Sequence, residues 1–281
     1  MARFRDLNVR EQKQQLKRLK VTEKTHQMVT FNTGPETRAS FMFDRIFHEE
    51  ETNHDIYDYL KPLIDIVHTD KVNVLLIFDS HTGAGKTYTM FNGMDAVVER
   101  CAKQVLAFGE SSLASEDRPE VRFASREDHI EVNKDLLRDV KTGAPADESA
   151  DGHKVESLEA LMTLFNAAKA KRTHRRMPQN DESSRSHAVH TLSLNWQKSV
   201  KASIKFLDLA GNEDTPDEKY FHIKKRKDFG DANREHNHIK SSRASFQGTI
   251  VAHAAGGQKN KVCTTLSHNL LERIARRLTC V

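Results

Sequence analysis

The chain has 281 residues, 37% of them hydrophobic and 30% charged, with a formal net charge of +4. That apolar content can bury one sizeable core, so a single domain over 1–281 is expected. The near balance of charge excludes a polycationic nucleic-acid arm and leaves any acidic partner to be met by a local basic patch.

No apolar run reaches the length of a membrane span, so no membrane partner is expected either. Cys101, Cys263 and Cys280 lie far apart without metal spacing, and the start shows no secretory apolar region. This pattern predicts a soluble protein in a reducing, cytoplasmic setting. Glu11 to Lys20, rich in Lys, Gln and Glu, reads as an exposed helical turn or a solvated loop. Phe41 to Phe47 alternates apolar and polar residues as a half-buried strand does. Asp55 to His68 places Ile56, Tyr59, Leu60, Leu63, Ile64 and Val67 at helical spacing, and Val72 to Phe78 is an apolar strand.

That strand runs into Ser80-His81-Thr82-Gly83-Ala84-Gly85-Lys86-Thr87. Small residues there let successive backbone amides curl around a phosphate, Lys86 adds a point charge, and Thr87 offers a hydroxyl to Mg²⁺. The full pattern wants glycine at the first position, so Ser80 is expected to remove a residue that takes positive φ without cost. A helix follows from Gly85 towards Met90, and a second helical pattern covers Met94 to Phe108. Ser111 to Pro119 and Thr142 to Gly152 read as polar surface loops, and Leu158 to Ala170 as an amphipathic helix.

The octet Asn180-Asp181-Glu182-Ser183-Ser184-Arg185-Ser186-His187 reads by itself as a hydroxyl-rich loop ahead of a strand. His190 to Trp196 and Ser203 to Asp208 are two strands joined by a turn near Lys198 to Lys201. The second ends in Asp208-Leu209-Ala210-Gly211. An Asp at the carboxyl end of an apolar strand, in a chain with a phosphate loop, is where a water-mediated Mg²⁺ partner is expected. Gly211 can bring its N–H against a γ-phosphate.

In chain order, F-x-F-D-x-I-F, T-G-x-G-K-T-Y-T-M, N-x-x-S-S-R-S-H and D-L-A-G-N-E resemble the kinesin motor domain, over roughly Arg3 to Arg277. The resemblance implies an α/β P-loop NTPase with a central mixed, mostly parallel sheet flanked by helices on both faces. It also implies a further core strand and a last helix that are missing before Val281. The octet then resembles switch I, and Asp208 to Glu213 switch II. By the same resemblance Ser80 to Thr87 bind ATP, Lys86 holding the β/γ-phosphates. Thr87 and Ser184 serve Mg²⁺ directly and Asp208 serves it through water; Asn180 and Ser183 sit by the γ-phosphate; Gly211 senses it; Arg185 pairs with Glu213.

Arg3 and Arg5 resemble the family's adenine-side R-x-R-P, with Asp6 where Pro is expected. Lys219, Lys224, Lys225, Arg226 and Lys227 offer a basic face to the acidic tubulin surface, with the relay helix following over His236 to Ala255. Ser186-His187-Ala188-Val189 with Asn212 leans towards the microtubule-depolymerising subfamily. The implied function is a microtubule-stimulated ATPase motor of the cytoskeleton. Ser80, Asp6 and a faint tubulin-facing loop over Lys261 to Leu271 motivate the alternative, a weak or inactive microtubule-binding module. No heptad stretch is present from which self-association can be read.

Overall fold

The computed structural model describes residues 1–4, 21–32, 37–80, 84–92, 95–111, 118–129, 132–137, 152–172, 174–177, 180–184, 186–196, 200–211 and 226–254. They fall into two compact units, Met1–Leu60 and Lys61–Val281.

In the first unit, β1 (Ala2–Arg3) pairs in parallel with β5 (Ile46–Phe47), while β2 (Val21–Lys24), β3 (Met28–Asn32) and β4 (Arg38–Met42) form an antiparallel sheet. The single strand expected over Phe41 to Phe47 is therefore two strands in two sheets. The break arises because Phe43 N–H donates to Gln27 O at 2.8 Å and Ile46 N–H to His26 O at 2.6 Å. Both donors are drawn to the β2–β3 turn. Helix α1 (Asn53–Thr69), which the unit boundary after Leu60 divides, matches its apolar spacing and buries Ile56, Leu60, Ile64 and Val67. Thr52 starts it: its hydroxyl accepts from His54 N–H at 3.2 Å and donates to Asp55 Oδ2 at 2.8 Å, and the same carboxylate takes Thr52 N–H at 2.7 Å.

The second unit is built on a sheet ordered β6 (Val74–Phe78), β13 (Lys201–Asp208), β12 (His187–Asn195), β7 (Glu120–His129), β8 (Val132–Asp135), with β9 (His153–Lys154) also on β7. The sheet is mixed, as expected, but not mostly parallel among the described residues. β6–β13 is its parallel ladder, and the remaining pairings are antiparallel. The reason is connectivity: β12 and β13 are consecutive and joined by a short turn, which only an antiparallel pair permits.

Helices α2 (Val97–Ser111), α3 (Leu158–Lys171) and α4 (Arg226–Ala254) complete the unit, with the strand pair β10 (His174–Met177) and β11 (Asn180–Ser184) between α3 and β12 in the chain. α2 begins after the expected Met94 because Asp95 holds φ 58, a left-handed conformation outside the helical region, and accepts from Arg100 Nε at 3.1 Å.

Neighbouring residues of one strand point to opposite faces. Val189 of β12 packs with Leu207, Leu209 and Phe246 of α4. His190, one step on, lies against Phe165 of α3 at 5.0 Å and Phe91 at 5.2 Å between ring centroids. α3 and α4 therefore cover opposite faces, as the helix-flanked sheet requires. This explains why β13 is buried almost throughout, with an apolar run in place of strict alternation.

His190 sits in an apolar cage with its Nδ1 2.9 Å from Ser125 Oγ, and burial pushes its pKa from 6.5 down to about 3. The unfolded chain then takes up a proton below 6.5 that the native state refuses. Stability from this site is fully present above 6.5 and falls as the pH drops towards 3, by about 1.4 kcal/mol per pH unit. Urea unfolding of His190→Asn between pH 4.5 and 6.5 is expected to show a slope one proton shallower than that of the parent.

Gly152 gives a second prediction. It holds φ +90, and a Cβ there meets Phe123 O at 2.3 Å. Gly152→Ala is expected to destabilise by about 2–4 kcal/mol, combining left-handed strain with overpacking. A Cβ at Gly248, on α4, meets nothing within 4 Å, so Gly248→Ala is expected to stabilise by about 0.5–1 kcal/mol, read from the same unfolding curves.

Candidate nucleotide site

The parallel ladder sets the site. β6 and β13 run in register from Ile204 opposite Val74 to Asp208 opposite Phe78, and Leu209 N–H donates to Phe78 O at 3.2 Å. The loop after Phe78 and the segment after Asp208 thus leave neighbouring strands at one level, at the carboxyl edge where α/β sheets bind ligands. Gly85 holds φ 101 and needs to be glycine. Lys86 Nζ donates to Ser80 O at 2.8 Å and Ser80 Oγ at 3.2 Å, so the lysine rests on the first residue of its own loop.

Ser80 is not in the positive-φ region; outside glycine only Lys71 and Asp95 are, among the described residues. The expected backbone cost of serine there is absent. The helix expected after the loop is, over Tyr88–Asn92, a π-helical turn, a form that recurs at functional sites. A cation, a hydroxyl at Thr87 and a glycine with free choice of φ, all beside the Asp208 edge, fit a Mg²⁺-bound polyphosphate in type and charge.

Asp208 is paired with a residue that the sequence reading missed. Arg172, just past α3, bonds the Asp208 carboxylate and donates through Nη2 to Asp208 O at 3.2 Å and Ser186 O at 2.7 Å. Its Nε reaches Ser186 Oγ at 3.3 Å. The two side chains are 5% and 2% exposed. Arg172 therefore joins the end of the octet to the end of β13. Nothing in Ala168-Lys169-Ala170-Lys171-Arg172 separates this arginine from an ordinary solvated helix end.

The octet's last residue is equally engaged. His187 is buried, and its pKa is held well below 6.5 by desolvation first and by His238, Arg172 and Arg243 after it. Kept neutral, it accepts Ala210 N–H on Nδ1 at 3.2 Å, so the proton sits on Nε2 and is donated to Ser242 Oγ at 2.8 Å. Ser242 in turn donates to His238 O at 2.8 Å, one turn back in α4.

Other expected site residues are placed as follows. Ala84 and Thr87 lie in the described part of the loop, whereas His81, Thr82 and Gly83 lie outside the described residues. Asn180, Ser183 and Ser184 form β11, paired with Met177, Arg175 and His174 across a bulge, so this part of the octet is a strand and not a loop. Backbone pairing overrides the weak strand preference of Asn, Asp and Ser. Gly211 is buried beside Ala210; Arg185 and Glu213 lie outside the described residues. Arg3 lies in β1 and donates to Asn53 Oδ1 at 2.6 Å, and Arg5 is outside the described residues. α4 starts at Arg226, earlier than the expected His236; Lys219, Lys224 and Lys225 are outside the described residues.

Among solved structures, a KIF14 segment determined with ADP in complex with a microtubule superposes at TM-score 0.75 and 20% identity, covering 96% of this chain and 82% of that one. A KIF14 dimer segment with AMP-PNP in complex with a microtubule gives 0.72 at 20% identity, covering 97% and 82%. At that identity the likeness shows the fold. Kinesin-like protein KIF27 of Mus musculus is 28% identical over 206 residues, 62% of this chain and 15% of that protein. Kinesin-like protein KIN-14K of Arabidopsis thaliana is 25% identical over 225 residues, 78% of this chain and 22% of that protein. This chain thus spans about a fifth of the length of the curated relatives it matches. Their differing names set a family and not a branch within it. The kinesin motor domain model matches residues 3–262, and the chain belongs to the kinesin motor domain family.

Proposed function

We propose that this chain is a microtubule-stimulated ATPase motor domain that binds Mg·ATP at Ser80 to Thr87 and passes the state of the γ-phosphate to a microtubule-binding face. The observation that carries the reading is the β6–β13 register, which starts the loop leading to Lys86 and the Asp208–Gly211 segment from one edge of the sheet. Phosphoryl transfer asks mainly for positioning and charge stabilisation, and these residues supply both. Lys86 leaves Ser80 to meet the β/γ-phosphates. Thr87 and Ser184 would hold Mg²⁺ directly and Asp208 through water; such an ion would supply charge neutralisation at the phosphate oxygens. Asn180 and Ser183 orient the γ-phosphate, Gly211 donates its N–H to it, and Arg185 with Glu213 closes the site.

The partner reading rests on the similar solved structures, both determined in complex with a microtubule, and on the cationic run from Lys219 to Lys227 ahead of α4. It carries with it a cytoplasmic, cytoskeletal location. The comfortable backbone of Ser80 and its two bonds to Lys86 favour a working ATPase over the binding-only module.

Steady-state ATP hydrolysis with and without microtubules tests this. Turnover of the parent is expected to rise at least tenfold with microtubules, on the scale of a modest coupling. Lys86→Ala is expected to lower turnover by about 10²-fold or more while leaving the melting temperature in place. A parent that hydrolyses nothing, or a Lys86→Ala variant that turns over at the parent rate, contradicts the proposal.

A further inference from the structure

Besides Ser242 on His187, α4 reaches the candidate site through a second side chain that no part of the motif set includes. Arg243, 4% exposed, extends its guanidinium in two directions. Nη2 donates to both carboxylate oxygens of Asp79, at 2.6 and 2.7 Å, and Nη1 donates to Ala210 O at 3.1 Å. Asp79 is the residue between β6 and the phosphate loop. Ala210 precedes Gly211. One planar fork therefore joins the relay helix, the entry to the phosphate loop and the segment after β13. Lysine cannot make these bonds together, because its ammonium is a single point without a fork.

The Ala210 carbonyl and the Gly211 amide belong to the same peptide unit. A trans peptide is planar, with its C=O and N–H directed to opposite sides. Any rotation that turns Gly211 N–H towards or away from a phosphate turns Ala210 O by the same angle relative to Arg243. The preceding N–H, that of Ala210, is held by His187 Nδ1 at 3.2 Å. The swing is thus confined to the one peptide that Arg243 holds. Asp79 in turn fixes the guanidinium from the side of the phosphate loop, with two charge-assisted bonds at a partly buried position.

We propose that Arg243 is a positioning residue that reads the orientation of the Ala210–Gly211 peptide and transmits it to α4, with Asp79 as its anchor. The inference deepens the motor reading and rests on it for the identity of the signal, the γ-phosphate of ATP. It adds the physical link by which that signal reaches the helix. Two states follow: with the carbonyl on Arg243, α4 is tied to the Ala210–Gly211 peptide; with the peptide turned, Arg243 keeps Asp79 alone and α4 loses its direct link to that peptide.

The test uses the full chain and the variants Arg243→Ala, Arg243→Lys and Asp79→Asn, each checked by thermal melting and by fluorescent-ADP affinity. Two readouts are taken in the ADP and AMP-PNP states: amide exchange over residues 233–248 and microtubule affinity. The parent is expected to bind microtubules about 5- to 150-fold differently in the two states, with a matching difference in α4 exchange. Arg243→Lys, which keeps the charge facing Asp79 but loses the fork, is expected to bring both differences close to one without loss of ADP affinity. Asp79→Asn is expected to give an intermediate ratio. If Arg243→Ala does not fold, Arg243→Lys and Asp79→Asn decide the matter. Folded variants that bind nucleotide and keep the parent's ratio and exchange difference overturn the coupling role of Arg243 and leave the motor reading intact. A parent that binds no ATP overturns both. A parent that binds ATP but not microtubules overturns the partner, and α4 exchange alone then decides the coupling.

Discussion

The parallel ladder between β6 and β13 is the constraint on which the rest of this molecule depends. Both strands are apolar along most of their length, β13 buried almost throughout and β6 at Leu76 and Phe78, so neither can slip register without moving Leu76, Phe206 and Leu207 out of their places. With Asp208 fixed opposite Phe78, the chain leaves the sheet twice at one edge, once into a glycine-containing loop and once into Leu209-Ala210-Gly211. Chemistry is then confined to residues whose position is set by a buried sheet.

Two buried arginines carry this constraint outwards. Arg172 binds Asp208 and Ser186, and Arg243 binds Asp79 and Ala210. Removing one member of the Arg172–Asp208 pair, whose side chains are 5% and 2% exposed, costs about 3–5 kcal/mol, because the survivor is left charged and unpaired, whereas Asp79 is 39% exposed and solvent screens its pair with Arg243. That magnitude exceeds what a typical hydrogen bond contributes, about 1 kcal/mol, so the Arg172–Asp208 pair outweighs the hydroxyl contacts around it. His187 adds direction. Neutral and buried, it offers an acceptor to Ala210 and a donor to Ser242, which fixes the order of the chain from the octet to α4.

Much of this was legible in the sequence. α1, β6, α3, β12 and β13 announce themselves because each buries a face or a run whose period survives in the residues. The turn into Gly85 and the end of β13 are legible because a glycine stands where φ is positive and the apolar run stops at Asp208. The Phe41 to Phe47 segment misleads because its alternation is real but its hydrogen bonds go to the His26–Gln27 turn, which local pattern cannot show. β11 is hidden for the opposite reason: Asn180-Asp181-Glu182-Ser183-Ser184 has a loop composition and is a strand only through its partner β10. The first turns of α4 lack apolar spacing, so its start is displaced. Arg172 and Arg243 are invisible in sequence because a lone arginine looks the same whether it is solvated or buried on a carboxylate. Among the described residues the sheet is mixed with one parallel ladder, since the short connection between β12 and β13 sets an antiparallel pair that the family pattern alone does not show.

The central claim is that the edge formed by Phe78 and Asp208 holds the polyphosphate. A structure of this chain determined with AMP-PNP and Mg²⁺ tests it most directly. The account predicts Lys86 Nζ moved from Ser80 onto the β/γ-phosphate oxygens and Gly211 N–H within hydrogen-bond distance of the γ-phosphate. Phosphates bound away from this edge, or a filled site in which Lys86 stays on Ser80 and the Gly211 amide points away, would contradict it.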